Sequence, residues 1–270
     1  MTLFQAAVLG IVQGITEFMP ISSTGHLMIL KQIFGVESRH LEIDISVHFG
    51  TLVAVFVYFR RDIRNLLASV VNAVSSHDKK TLPFKYFSFL ILGSIPLGVT
   101  GFLFESYFKE RTVQNSTLYS AFFFTGILLL ISELMSPRLK KRKLGYISSF
   151  IVGLGQALAV IPGLSRSGVT ISIGILLGIE RDDAARYSIF LGAISILGAS
   201  LYLVLKQVSA DRLIIDPVLL FVSALTAFIT AYIGIDVLIK LVIKGKLWMF
   251  GIYSIVLAVI LFAFQGSVIL

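Results

Sequence analysis

The sequence predicts an all-α, polytopic membrane protein, and three observations carry that prediction. Hydrophobic residues fill 56% of the 270 positions and charged residues only 14%, with a mean hydropathy of +0.92. An ordinary soluble domain carries about 25% charged residues. The apolar residues also run continuously for roughly 17 to 25 positions at a time, the length a bilayer core demands. Lipid offers the backbone no partners, so spanning segments are helices or closed barrels, and runs without alternation select the helix. Finally, 14 of the 23 Lys and Arg lie in three segments between runs. A net charge of +8 distributed this way reads as membrane topology, and no nucleic-acid partner is expected. The absence of cysteine rules out a disulfide framework, a thiolate nucleophile and a cysteine metal site.

Residues 1 to 40 are apolar but interrupted at Pro20 to His26. They lack a basic leading region and a small-residue cleavage site, so Met1 to Gly10 reads as part of the mature fold. Unbroken runs follow at 44–59, 86–104, 117–135, 187–205, 217–239 and 247–265, giving about six spans. Arg60, Arg61, Arg64, Lys79, Lys80 and Lys85 form the first basic segment. Arg138, Lys140, Lys141, Arg142 and Lys143 form the second, and Lys240, Lys244 and Lys246 the third. Excess positive charge stays inside, which places these three loops in the cytoplasm and Glu105 to Thr117 and Lys206 to Pro217 outside. In the first loop Ile63, Leu66, Leu67, Val70, Val71 and Val74 recur at helical spacing, as in an amphipathic helix on the membrane surface.

Residues 146 to 180 are the second interrupted stretch, broken by Pro162 to Gly168. They start after a cytoplasmic loop and end at Glu180 to Asp183, from which the next span again leaves the cytoplasm. Entry and exit on one side predict a re-entrant hairpin of two half-helices, with the polar break at its tip. The same logic makes residues 1 to 40 a hairpin from the opposite face. A shift of 143 residues aligns Gly10 with Gly153, Gln13 with Gln156, Ser22 with Ser165, Thr24 with Ser167 and Gly25 with Gly168. The expectation is a single membrane domain over 1–270 built as an inverted-topology repeat. Its halves are 1–135, with tip 20–26, and 146–270, with tip 162–168. Irregular backbone at membrane depth must be enclosed, so the two tips should meet.

Ionisable groups inside a membrane are functional candidates by default. Glu17, His26 and Arg166 qualify, with Glu133 near a span end. Gln13 and Glu17 share one helix face. Ser22, Ser23, Thr24 and Gly25, like Ser165, Ser167 and Gly168, precede new helices, whose hydroxyl caps, free N–H groups and positive dipole ends suit an anion. Arg166 adds a guanidinium that can grip phosphate with two parallel bonds. The structural alternatives are plain caps, an interhelical bond for Gln13, a core position for His26 and an ion pair of Arg166 with Glu17. Gathering three ionisable groups on two related breaks favours function. His40, His48 and His77 receive no role.

Gly10 to Leu27, GIVQGITEFMPISSTGHL, and Pro162 to Ser172, PGLSRSGVTIS, closely resemble the two signatures of the undecaprenyl-diphosphate phosphatase family, also called the bacitracin-resistance protein. The resemblance runs over essentially the whole chain. It implies hydrolysis of undecaprenyl diphosphate to undecaprenyl phosphate and phosphate, recycling of the cell-wall carrier lipid, and bacitracin resistance. It also implies a multi-pass protein of the plasma or inner membrane whose site opens outward. The implied divalent cation, Mg2+ or Ca2+, would be held by Glu17 with Gln13 as a second ligand. The family's first signature carries Glu or Gln, three further residues and then Glu; this chain has the Gln form, Gln13 and Glu17, leaving Glu17 as the essential acid. The implied catalytic set is Glu17, Ser23, His26 and Arg166; Gln13, Ser22, Thr24, Gly25, Ser165, Ser167 and Gly168 bind the diphosphate. Ser23 is the favoured nucleophile, with His26 or Glu17 as base; attack by His26 itself or by water is the alternative. Arg166→Ala is expected to abolish release with folding nearly unchanged. Partners are the polyprenyl diphosphate and membrane lipids, and a homodimer is compatible with the sequence. The competing class is a secondary transporter or flippase of a polyprenyl phosphate, because such proteins also place broken helices at an inverted-repeat interface.

Overall fold

The computed structural model describes residues 1–36, 41–76, 81–103, 115–208 and 216–264, and these form eleven α-helices. In chain order they are α1 (Leu3–Thr16), α2 (Ser23–Ile33), α3 (Leu41–Tyr58), α4 (Arg60–Ser76), α5 (Leu82–Leu103) and α6 (Asn115–Met135). After the 3-10 turn Ser136–Arg138 come α7 (Tyr146–Leu158), α8 (Arg166–Leu176), α9 (Arg181–Val208), α10 (Pro217–Ile243) and α11 (Leu247–Ala263). The all-helical prediction therefore stands.

Four helices, α5, α6, α9 and α10, are each long and apolar enough to cross a bilayer. The run at 44–59 falls on α3, which makes a fifth only together with α4, bent from it by 78°. The run at 247–265 falls on α11, whose 17 residues sit at the short end of what a bilayer core requires. The ends expected at 104 and 265, both outer loops between 105 and 215 in large part, and His40, His77, Lys79 and Lys80 lie outside the described residues.

Both interrupted stretches fold as hairpins. In the first, α1 and α2 have 14 and 11 residues; in the second, α7 and α8 have 13 and 11. At about 1.5 Å per residue none of the four spans a membrane alone. α1 packs on α2 and α7 on α8. Each break has a sequence cause. Ser22 takes a left-handed φ of 67°, unusual for a side-chain-bearing residue, and its hydroxyl accepts from the Gly25 N–H, so α2 starts in a new direction. In the second hairpin Gly163 supplies the left-handed turn, φ 92°, and Ser165 caps α8 through the Gly168 N–H.

Helix pairing follows the two hairpins. α1 lies along α10 and α7 along α5; α3 also contacts α10, and α9 also contacts α5. The pairs α3 with α9 and α6 with α11 close the bundle. Small residues permit the closest approaches: a Cβ at Gly10 would collide with the Ser223 carbonyl, and one at Gly153 with the Gly93 carbonyl. Glu133, singled out as an intramembrane acid, makes a two-bond ion pair with Arg181, 2.9 Å on each side, which ties α6 to α9. Its role is structural.

Candidate active site

The two tips touch. The Ser167 hydroxyl donates to the Met19 carbonyl at 2.9 Å, and Arg166 Nη2 donates to Glu17 Oε1 at 2.8 Å. Residues 149 positions apart in the chain thus share one ion pair, buried on the Glu17 side and largely so on the Arg166 side. Arg166 opens α8, and its second terminal nitrogen donates to the Gly192 carbonyl of α9 at 2.9 Å. Gly192 is needed there, because a Cβ would come within 2.9 Å of the guanidinium.

Glu17 is the hub. Its Oε2 accepts from the Ser23 hydroxyl at 2.6 Å and from Gln13 Nε2 at 2.6 Å, one turn back on α1. Gln13, Glu17 and Ser23 are all buried. Burying a carboxylate costs several kcal/mol unless it is paired and hydrogen-bonded. Here one cation and two neutral donors offset that cost. A carboxylate accepts at about four positions, so one position of Glu17 stays open beyond these three donors.

The remaining expected residues divide into caps and rim. Ser22 and Ser165 cap α2 and α8. Ser165 also donates to Ser167 at 3.2 Å, and its N–H reaches the Thr125 hydroxyl of α6 at 3.2 Å. Gly25 and Gly168 supply the capped N–H groups and sit too close to Phe122 and Thr125 for a side chain. Thr24 is exposed. The first-turn N–H groups of both short helices therefore start at one place, where the two dipoles favour an anion.

The hydrogen bonds of His26 go to Ser22 and Tyr253, and that of the Ser23 hydroxyl goes to Glu17. His26 Nδ1 lies 2.7 Å from the Ser22 carbonyl, so this nitrogen donates, and Nε2 accepts from the Tyr253 hydroxyl at 2.6 Å. The ring stacks on Tyr253 and meets the Phe122 face edge-on. The arrangement orients the start of α2 and sets His26 against α11 rather than against the Ser23 hydroxyl.

Four contributors escaped the sequence. His48, assigned no role, has Nδ1 2.9 Å from Gln13 Nε2 and 3.7 Å from Glu17 Oε2. Tyr253, Thr125 and Gly192 lie in ordinary apolar runs. His48 alone carried a signal, an imidazole inside a run otherwise apolar from Ile45 to Tyr58 save Ser46 and Thr51. The others are polar or small residues of a kind that every span here contains.

An undecaprenyl-diphosphatase of Halothermothrix orenii is 34% identical over 98% of this chain and 99% of that protein. Another from Desulforapulum autotrophicum is 37% identical over 96% and 97%, and undecaprenyl-diphosphatase 1 of Shouchella clausii is 34% identical over 99% and 98%. The family model described as bacitracin resistance protein BacA matches residues 6–260, which include both tips. The chain belongs to the bacitracin resistance protein BacA family.

Proposed function

We infer that this chain hydrolyses undecaprenyl diphosphate to undecaprenyl phosphate and inorganic phosphate. The observation that carries the reading is the contact of Glu17 with both Ser23 and Arg166. It puts a hydroxyl nucleophile, its base and an anion-binding guanidinium in one enclosed place. A transport site needs the anion grip but has no use for a hydroxyl aligned on a buried carboxylate, which disfavours the flippase alternative.

In this mechanism the diphosphate enters between the two helix N-termini. Ser23 Oγ attacks the terminal phosphorus while its proton passes to Glu17 Oε2. The bond to the bridging oxygen breaks and undecaprenyl phosphate leaves. Water then cleaves the phosphoserine, releasing phosphate and restoring the Ser23 hydroxyl. Arg166, with the first-turn N–H groups, stabilises the charge on the transferring group, the main source of catalysis in phosphoryl transfer. Glu17 rather than His26 serves as the base; His26 holds the tip through Ser22 and Tyr253.

The donor set fits a divalent cation of the kind bound by one carboxylate and the substrate's phosphates. Among the described residues no three His, Cys, Asp or Glu side chains gather into a cage. Glu17 retains an open acceptor position, and Gln13 Oε1 is buried without a partner, so these two would hold the ion. When bound, it supplies charge neutralisation to the diphosphate. The basic loops and hairpins support an inverted-topology repeat in the plasma membrane, with the tips opening outward.

Purified protein in detergent, given a polyprenyl diphosphate and Mg2+, is expected to release phosphate, with a phosphorylated Ser23 trapped on acid quench. Glu17→Gln keeps the size of the side chain but not the base, and release should fall by about 100-fold or more. No release by the folded wild-type protein, at any chain length of substrate, would overturn the reading.

A further inference from the structure

Gln13 is fully buried one helical turn before Glu17. A carboxylate only accepts, so the amide end 2.6 Å from Glu17 Oε2 is the NH2 group. The same nitrogen lies 2.9 Å from His48 Nδ1. One N–H goes to Glu17 and the other to His48, whose Nδ1 must carry a lone pair. The ring proton of His48 therefore sits on Nε2. His48 Nδ1 stands 3.7 Å from Glu17 Oε2, beyond hydrogen-bond reach, so its connection to the carboxylate runs through Gln13.

Gln13 Oε1 has no donor as it stands, and turning the amide over would also set it against a carboxylate oxygen. Glu17 sets which end of the amide faces it, and His48 takes the second N–H of that same nitrogen, which restrains the amide from turning within its plane. His48 can do so because its helix, α3, is fixed. The Ser46 hydroxyl donates to the Leu220 carbonyl of α10 at 2.6 Å, and Gly50 packs so tightly on α10 that a Cβ there would collide with the Ala224 carbonyl. Through Gln13 this anchored helix sets the position of Glu17 Oε2, the oxygen that also receives the Ser23 hydroxyl.

We propose that His48 is a positioning residue for the reaction, holding the Gln13 amide in the one orientation that aligns Glu17 Oε2 on Ser23. This rests on the phosphatase reading. The His48 contacts run to Gln13 and toward Glu17, and Glu17 Oε2 is the oxygen that takes the Ser23 proton, so the loss is read chiefly in kcat.

The test is steady-state phosphate release from a soluble-length polyprenyl diphosphate by purified variants. His48→Phe keeps a ring without an acceptor, and kcat should drop by about 10- to 100-fold with KM nearly unchanged, as for other residues that orient a reacting group. His48→Asn puts Oδ1 where Nδ1 stood and should recover most of that loss. In the double variant Gln13→Ala/His48→Phe, the second change should add little to the first, because both act through one contact. If His48→Phe does not yield folded protein, His48→Ala against His48→Asn makes the same comparison. Wild-type kcat in the acceptor-less variant, failure of Asn to rescue, or multiplied losses in the double variant would each refute the proposal. Inactivity of the wild type would instead strike at the phosphatase reading, so the two failures are told apart.

Discussion

Glu17 accepts from Gln13 on α1 and from one residue of each tip, Ser23 and Arg166, and this explains why its neighbours are not interchangeable. Removing Arg166 strands a buried carboxylate, at a cost of about 3–5 kcal/mol. The sequence-based expectation that Arg166→Ala leaves folding nearly unchanged therefore needs correcting, and the loss of activity in that variant would be confounded by instability. Arg166→Lys keeps the charge and gives up the planar fork. We expect phosphate release to fall by about 100-fold with only a small shift in the detergent melting temperature. Undiminished release by Arg166→Lys would reduce the residue to a counter-ion. At this scale Glu17, Ser23 and Arg166 were legible, because an ionisable group or a hydroxyl cluster in an apolar run stands out against its background. In the sequence the Glu17–Arg166 pair stood as the structural alternative; the contacts of His26 with Tyr253 and of His48 with Gln13 were not foreseen. His26 and Glu17 were equally plausible partners for Ser23; in the structure the Ser23 hydroxyl donates to Glu17, and His26 Nε2 lies against the Tyr253 hydroxyl.

The hairpins place their tips through helix packing that depends on glycine. Gly10 and Gly14 let α1 lie directly on the α10 backbone, and Gly153 does the same for α7 on α5. In lipid, where no hydrophobic force draws helices together, such close contact supplies much of the association energy. Gly153→Val would push α7 away from Gly93 and shift the second tip with it. Overpacking of this kind costs about 1–3 kcal/mol. The expected result is a lower melting temperature together with reduced phosphate release, measured on the same preparation; an unchanged protein would mean that the α7–α5 contact does not position the tip. α4 was anticipated as an amphipathic segment and is a helix turned 78° from α3. Arg60, Arg61 and Arg64 are exposed on it beside the exposed Leu67 and Val71, the composition of a helix seated in the membrane interface.

Across the whole molecule two pairs of contacts correspond when the hairpins are exchanged, α1 on α10 with α7 on α5 and α3 on α10 with α9 on α5, whereas the contacts of α8 with α6 and α9 have no counterpart of like extent at α2 among the described residues. Because the chain has no cysteine, topology can be tested with single introduced thiols. A cysteine at the exposed Thr24 should react with an impermeant maleimide added outside intact cells. One at Arg61, on α4, should react only after the membrane is opened. Labelling of both from the same side would rule out the opposed orientation of the hairpins.

The sequence by itself determined the class of the protein, the approximate positions of its spans, the two breaks and the residue types at them. These are local properties: the length of an apolar run, a glycine or serine that permits a turn, and a charge that lipid will not accept without a partner. Tertiary structure decided which of those residues meet. The Glu17–Arg166 pair, the Ser167 bond to the Met19 carbonyl, the His48 contact with Gln13 and the Tyr253 contact with His26 all join separate helices. Such contacts follow from how helices rotate and approach one another. That geometry is set by single small residues and caps, some at the tips and some, such as Gly10 and Gly153, along the helices, and it leaves no periodic trace in the chain.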